Sequence, residues 1–201
     1  MPDPRPVFRA GLAARLLIVG QAPGRRVHES GIPWNDPSGD LLRQWLGLDR
    51  AAFYDESRVA ILPAGLCFPG TRPRLGDMPP PPRCAALWQP RFAAALPELR
   101  LVLAVGACAQ RHWLPGVRSV EAAVAGGPVP ILCHGRRLPV FPLPHPSPRN
   151  RRWLAQRPWF AARTLPRLRA ALECALDDDE LTRMLEDAAA NRNIESVSAE
   201  Q

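Results

Sequence analysis

Four short apolar runs punctuate the chain, Leu16–Gly20, Val59–Leu62, Leu101–Gly106 and Leu138–Leu143, each closed by turn residues. Unbroken apolar stretches of this length predict strands buried on both faces. Between them the period changes. Leu41–Leu46 and Cys84–Leu96 carry apolar residues at three- and four-residue spacing, Ala107–Leu114 follows the third run directly, and Trp159–Leu176 is a long amphipathic stretch with arginines on its outer side. These segments predict helices. Strands alternating with helices predict an α/β fold with a mainly parallel sheet covered on both sides.

Ligands of such sheets bind outside the carboxyl ends of the strands. The four predicted strand ends lead into GQAPG, PAGLCFPG, GACAQ and PLPHPSPRN. The proline-rich stretch Pro69–Arg83 shows no periodicity and reads as a long loop. At 201 residues and 46% hydrophobic, the chain suits one core rather than two. We expect one domain over residues 1–176 and an acidic helix or tail over 177–201 that ends in disorder.

Charge sharpens this division. Residues 177–201 hold eight acids against Arg183 and Arg192, whereas residues 1–176, with 24 arginines against 11 acids, carry a net +13. A basic body of this kind is the electrostatic footprint of a polyanion binder. All 26 basic residues are arginine, so no side-chain amine can form a Schiff base. Cys67, Cys84, Cys108, Cys133 and Cys174 are odd in number, scattered and never in a C-x-x-C pair, which argues against a disulfide framework and a zinc knuckle. The first apolar run is interrupted by Arg15 and enters a glycine turn, so it reads as a strand rather than a signal peptide, and no run reaches membrane-spanning length. We expect a cytoplasmic monomer with no membrane contact and no cofactor.

Two of the loops carry chemistry. In the first, Gly20 and Gly24 let the backbone approach a ligand closely while Pro23 stiffens the turn, so that N–H groups can face a phosphate or carbonyl. Trp34 is either a cap on the core or a flat platform for a planar ring. Asp36 before Pro37 is a helix N-cap and N1 pair, opening a helix from Pro37 to Leu46; its carboxylate would face the positive end of the helix dipole. In the second loop, Pro144 and Pro146 clamp His145 and make it an oriented donor. Ser147, Arg149, Asn150, Arg151 and Arg152 follow at once, side chains suited to phosphate.

Together, G-Q-A-P-G with G-I-P-W-N-D-P-S-G after it, and H-P-S-P-R-N near the end, resemble the two active-site motifs of the uracil-DNA glycosylase superfamily over roughly Arg15 to Arg169. The resemblance implies a three-layer α/β/α sandwich with a central four-stranded parallel sheet that flips a damaged base into a pocket at the strand ends. By position, Gly20, Gln21, Ala22, Pro23, Trp34 and Asn35 would bind the base, with Trp34 as the stacking aromatic and Gln21 beside the base edge. His145 would donate to O2 of the leaving uracil. Gly24, Arg25, Arg26, His28, Ser147, Arg149, Asn150, Arg151 and Arg152 would meet the DNA.

The departures are informative. The aspartate of the best-known first motif is Ala22 here, and Asp36 in D-P-S-G matches the aspartate of a broad-specificity branch, so the catalytic acid is expected at Asp36. The uracil-reading asparagine at the end of the second strand is replaced by Pro63 or Ala64. Some thermophilic branches hold an iron–sulfur cluster on four cysteines; Cys67 and Cys84 resemble the later pair, but the N-terminal pair is absent, and two ligands do not hold a cluster. No histidine lies between Val59 and Arg111, where a covalent-trapping branch carries one. The competing readings are a nucleotide- or phosphate-binding module using Gly20–Gly24 as a cradle, and a DNA-binding scaffold without catalysis.

Overall fold

A computed structural model describes residues 4–72 and 76–177. The expected acidic tail beyond Asp177 lies outside the described residues. In chain order the elements are β1 (Leu16–Val19), α1 (Arg25–Ser30), α2 (Pro37–Leu46), α3 (Arg50–Phe53), β2 (Val59–Ile61), β3 (Thr71–Arg72), β4 (Gly76–Asp77), α4 (Pro82–Ala94), β5 (Leu101–Val105), α5 (Gly106–Trp113), α6 (Val120–Gly126), β6 (Val129–Cys133), β7 (Arg136–Leu143), α7 (Arg151–Ala155) and α8 (Leu165–Leu176). A π-helical turn, Phe160–Thr164, leads into α8.

The main sheet has the order β2-β1-β5-β7-β6. Its first four strands are mutually parallel and are the four read from the apolar runs. The fifth, β6, pairs antiparallel with β7 and was not expected: only Ile131 and Cys133 of its five residues are even half-buried, and a proline within it hides the strand pattern. Its hairpin turns through His134 (φ 48°) and Gly135 (φ 77°), the doubly left-handed turn that matches strand twist.

Alternation along the parallel strands sends successive side chains into two apolar layers, one on each face of the single sheet. Leu16, Ile18, Val59, Ile61, Leu101, Leu103 and Phe141 pack with α2 and α8 through Leu42, Trp45, Leu168 and Leu172. Leu17, Val19, Ala60, Leu62, Val102, Ala104 and Val140 pack on the other face with Ala93 of α4 and Ala109 and Trp113 of α5. This is the three-layer α/β/α sandwich.

Two segments outside the main sheet shape its carboxyl end. Residues 7–9 run beside β2, with the Val7 amide donating to Leu66 O (2.8 Å) and the Arg9 amide to Ile61 O (3.0 Å). The stretch read as a featureless loop contains a small antiparallel ribbon, β3 with β4, because the Thr71 hydroxyl bonds Asp77 Oδ1 (3.1 Å) and the Met78 amide bonds Gly70 O (2.9 Å). Among the described residues, no helix is long and apolar enough to cross a membrane.

Candidate functional site

The loop after β1 is sewn to the end of β2. The Ala64 and Gly65 amides donate to the carbonyls of Gly20 (2.9 Å) and Gln21 (2.8 Å), which turns those carbonyls toward the neighbouring loop. Gly24 then caps α1 in an extended conformation. The result is a small cavity of about 50 Å³ whose wall includes Gly20 through Gly24, Trp34, Asp36 and His145, closed by the apolar side chains of Val7, Val27, Pro33, Ile61 and Pro63. Pro63, one of two candidates for the missing asparagine's place, lines this cavity, whereas Ala64 does not.

Asp36 is the N-cap of α2, its Oδ1 accepting from the Gly39 amide at 2.9 Å. The D-P pair sets this locally, since Asp favours the cap and Pro37 the first turn. Trp34, two residues before, has φ of 56°, a left-handed backbone that costs a bulky residue about 1–2 kcal/mol. Its carbonyl oxygen fills the space where Gly39 lacks a side chain. Its ring lies against Gly20, whose added Cβ would come within 2.8 Å of the indole, and its centroid is 5.8 Å from the His145 ring at a tilt of 34°. Gly39→Ala should therefore lower stability by about 1–3 kcal/mol in chemical denaturation, because a backbone oxygen, not a flexible side chain, occupies the space. An unchanged midpoint would contradict this packing.

His145 is held from three sides. Gln110, buried in α5, donates to Ala104 O (3.3 Å) and Leu143 O (2.8 Å), tying the ends of β5 and β7 together just before the Pro144-His145-Pro146 turn. Gly106 (φ 80°) lies beneath the ring, and a Cβ there would stand 3.3 Å from His145 Cβ. Asn150 Nδ2 donates to the His145 carbonyl at 2.7 Å. Burial pushes the imidazole below its ordinary pKa, and the nearby Asp36 charge opposes this without cancelling it. A ring that resists protonation is a neutral donor at pH 7.

Beyond the cavity a groove of about 620 Å³ opens along Gln21, Arg25, Asp36, Ser38, Asp77, Met78, His145, Ser147 and Arg149. Arg25, Ser147 and Arg149 border it, with Ser147 Oγ accepting from the Arg149 amide (3.3 Å). Arg26, Arg151 and Arg152 are exposed outside its lining. The structure turns three other expected contacts elsewhere. Asn35 accepts from Arg50 at 3.4 Å, His28 packs on Phe68 with ring centroids 5.6 Å apart, and Asn150 points inward to His145. Val7, Gln110 and Gly106 carry no local signal of these roles; the strand-end segment GACAQ contains the last two, but nothing in it marks what they touch.

The donor set does not fit an iron–sulfur cluster. Cys67 and Cys84 are both free and half-buried, burial followed by the neighbouring Cys84 pushes the Cys67 thiol up, and among the described residues no three His, Cys, Asp or Glu side chains are grouped to hold a metal. The family model of the uracil DNA glycosylase superfamily matches residues 8–169. That span takes in both strand-end loops, the Asp36 cap, the clamped His145 and every residue of the cavity wall except Val7, and the chain belongs to the uracil DNA glycosylase superfamily.

Proposed function

We propose that the protein is a monofunctional DNA glycosylase that hydrolyses the N-glycosidic bond of a flipped deaminated base, uracil first among them, in base excision repair. The observation that supports this is the meeting of Asp36 and His145 on one cavity wall, opposite in chemical character, beside an aromatic ring. Cleavage leaves positive charge on the sugar and negative charge on the base, so a site needs an anion on one side and a donor on the other. Asp36 spends Oδ1 on its helix cap, and Oδ2 holds the water. The water oxygen bonds to C1′ as the C1′–N bond breaks, the bond electrons leave with the base, and the water proton passes to the carboxylate. The neutral His145 ring N–H donates to the base anion, in the manner of an oxyanion-hole donor. Trp34 stacks on the flipped base, Gln21 lies at its edge, and the groove arginines Arg25 and Arg149 take the flanking phosphates.

A nucleotide-binding module without catalysis would leave a half-buried, neutral histidine beside a carboxylate with no task. Oligonucleotides carrying uracil, hypoxanthine or xanthine separate the readings. The expected product is an intact abasic strand that breaks only in alkali, and borohydride should trap no covalent complex, since a lysine-free chain has no side-chain amine for a lyase step. Efficient trapping would bring the N-terminal amine into the reaction and end the monofunctional reading.

A further inference from the structure

We propose that Tyr54 and Arg43 are positioning residues for the Trp34 platform, locking the strained peptide on both sides of it; this rests on the glycosylase reading in which Trp34 stacks on the flipped base. A residue's φ and ψ are set by the peptide planes before and after its Cα. Both planes at Trp34 are gripped. The Tyr54 hydroxyl donates to Pro33 O at 2.7 Å, fixing the plane before. Arg43 Nη1 donates to Trp34 O at 3.4 Å, fixing the plane after, and also to Tyr54 Oη at 3.5 Å, linking the two holds.

The holding groups are themselves anchored. Arg43 is 8% exposed, its guanidinium lies 5.3 Å from the Phe53 ring centroid and 5.8 Å from that of Tyr54, and Nη2 pairs with Asp40. A buried guanidinium reaching a carbonyl, a hydroxyl and a carboxylate uses a fork that no ammonium reproduces. Left-handed backbone at a bulky residue persists only where the surroundings over-determine it. Released, Trp34 would relax to negative φ and carry its ring away from Gly20 and His145. Tyr54 is the chain's single tyrosine, and it is spent on a loop 21 residues away.

The test uses Tyr54→Phe, which keeps the ring and its packing, and Arg43→Lys, which keeps the charge. The chain carries six tryptophans; labelled with 5-fluorotryptophan, it gives resonances among which Trp34→Phe identifies that of Trp34. In Tyr54→Phe the Trp34 line should move or broaden while the others stay. Single-turnover excision should fall about tenfold with duplex affinity unchanged, and Arg43→Lys should act in the same direction. In a Trp34→Ala background, Tyr54→Phe should slow excision no further. An unmoved Trp34 line, a shift of all lines together, or the same tenfold loss in both backgrounds would overturn the proposal. If the wild-type chain excises no base while the Trp34 line still moves alone, the clamp stands and the glycosylase reading falls.

Discussion

Asp36→Asn should slow base excision by about a hundredfold to ten-thousandfold, the range of a positioned acid–base group, while melting and duplex binding stay close to wild type. The substitution isolates charge from structure. Asparagine caps a helix about as well as aspartate, so the bond to the Gly39 amide and the start of α2 survive, and stability should change by no more than about 0.5 kcal/mol. On the proposed mechanism, what is lost is the proton acceptor for water and the anion facing the sugar. Single-turnover kinetics beside thermal melts would reveal it. Full activity in Asp36→Asn would hand the role to Gln21, which lines the same cavity, since Asn35 is turned to Arg50.

His145→Ala should cost about a hundredfold to a thousandfold in excision rate, the usual effect of deleting one donor to a developing anion, with little change in DNA affinity. Its pH behaviour gives an independent check. Because burial lowers the imidazole pKa in the folded chain, the unfolded chain binds the proton more readily, and stability rises with pH through the window between the lowered value and about 6.5. Acidification below that upper limit should therefore destabilise the wild type by an increment absent in His145→Gln. Parallel acid-induced losses in both proteins would mean that the histidine is not held neutral. Equal excision rates would remove it from the reaction.

Much of this arrangement was legible in the chain, and the boundary between what was and was not has a physical pattern. Strand ends, the D-P helix start and the proline-clamped histidine are encoded by residues adjacent in sequence, so they could be read directly. Tyr54 reaches Pro33 across 21 residues, and Gln110 reaches Leu143 across 33; nothing near either residue announces such a partner. Gly106 reads as a strand-ending glycine, and its place beneath His145 depends on β5 and β7 being neighbours. Asn150, in a row of phosphate-type residues, turns inward because the short turn begun at Ser147 brings its amide to the His145 carbonyl. Val7 enters the cavity wall because residues 7–9 follow β2, a pairing no local pattern predicts.

The antiparallel hairpin bears on how the two rims of the sheet are finished. A sheet has two rims, and each invites a foreign strand to continue it. On one side the chain's own Arg9 bridges Ile61 at the end of β2. The other rim is β6, which displays Leu132, 77% exposed and the most exposed large apolar side chain among the described residues. There Pro130 stands opposite Pro139. Two facing prolines cannot exchange N–H bonds, so they occupy a position where both nitrogens point outward, and that of Pro130 is aimed at solvent. A strand of another copy arriving beside Leu132 would find the row of donors broken near the start of a five-residue stretch. The same proline that hid this strand in the sequence removes one donor from its free rim.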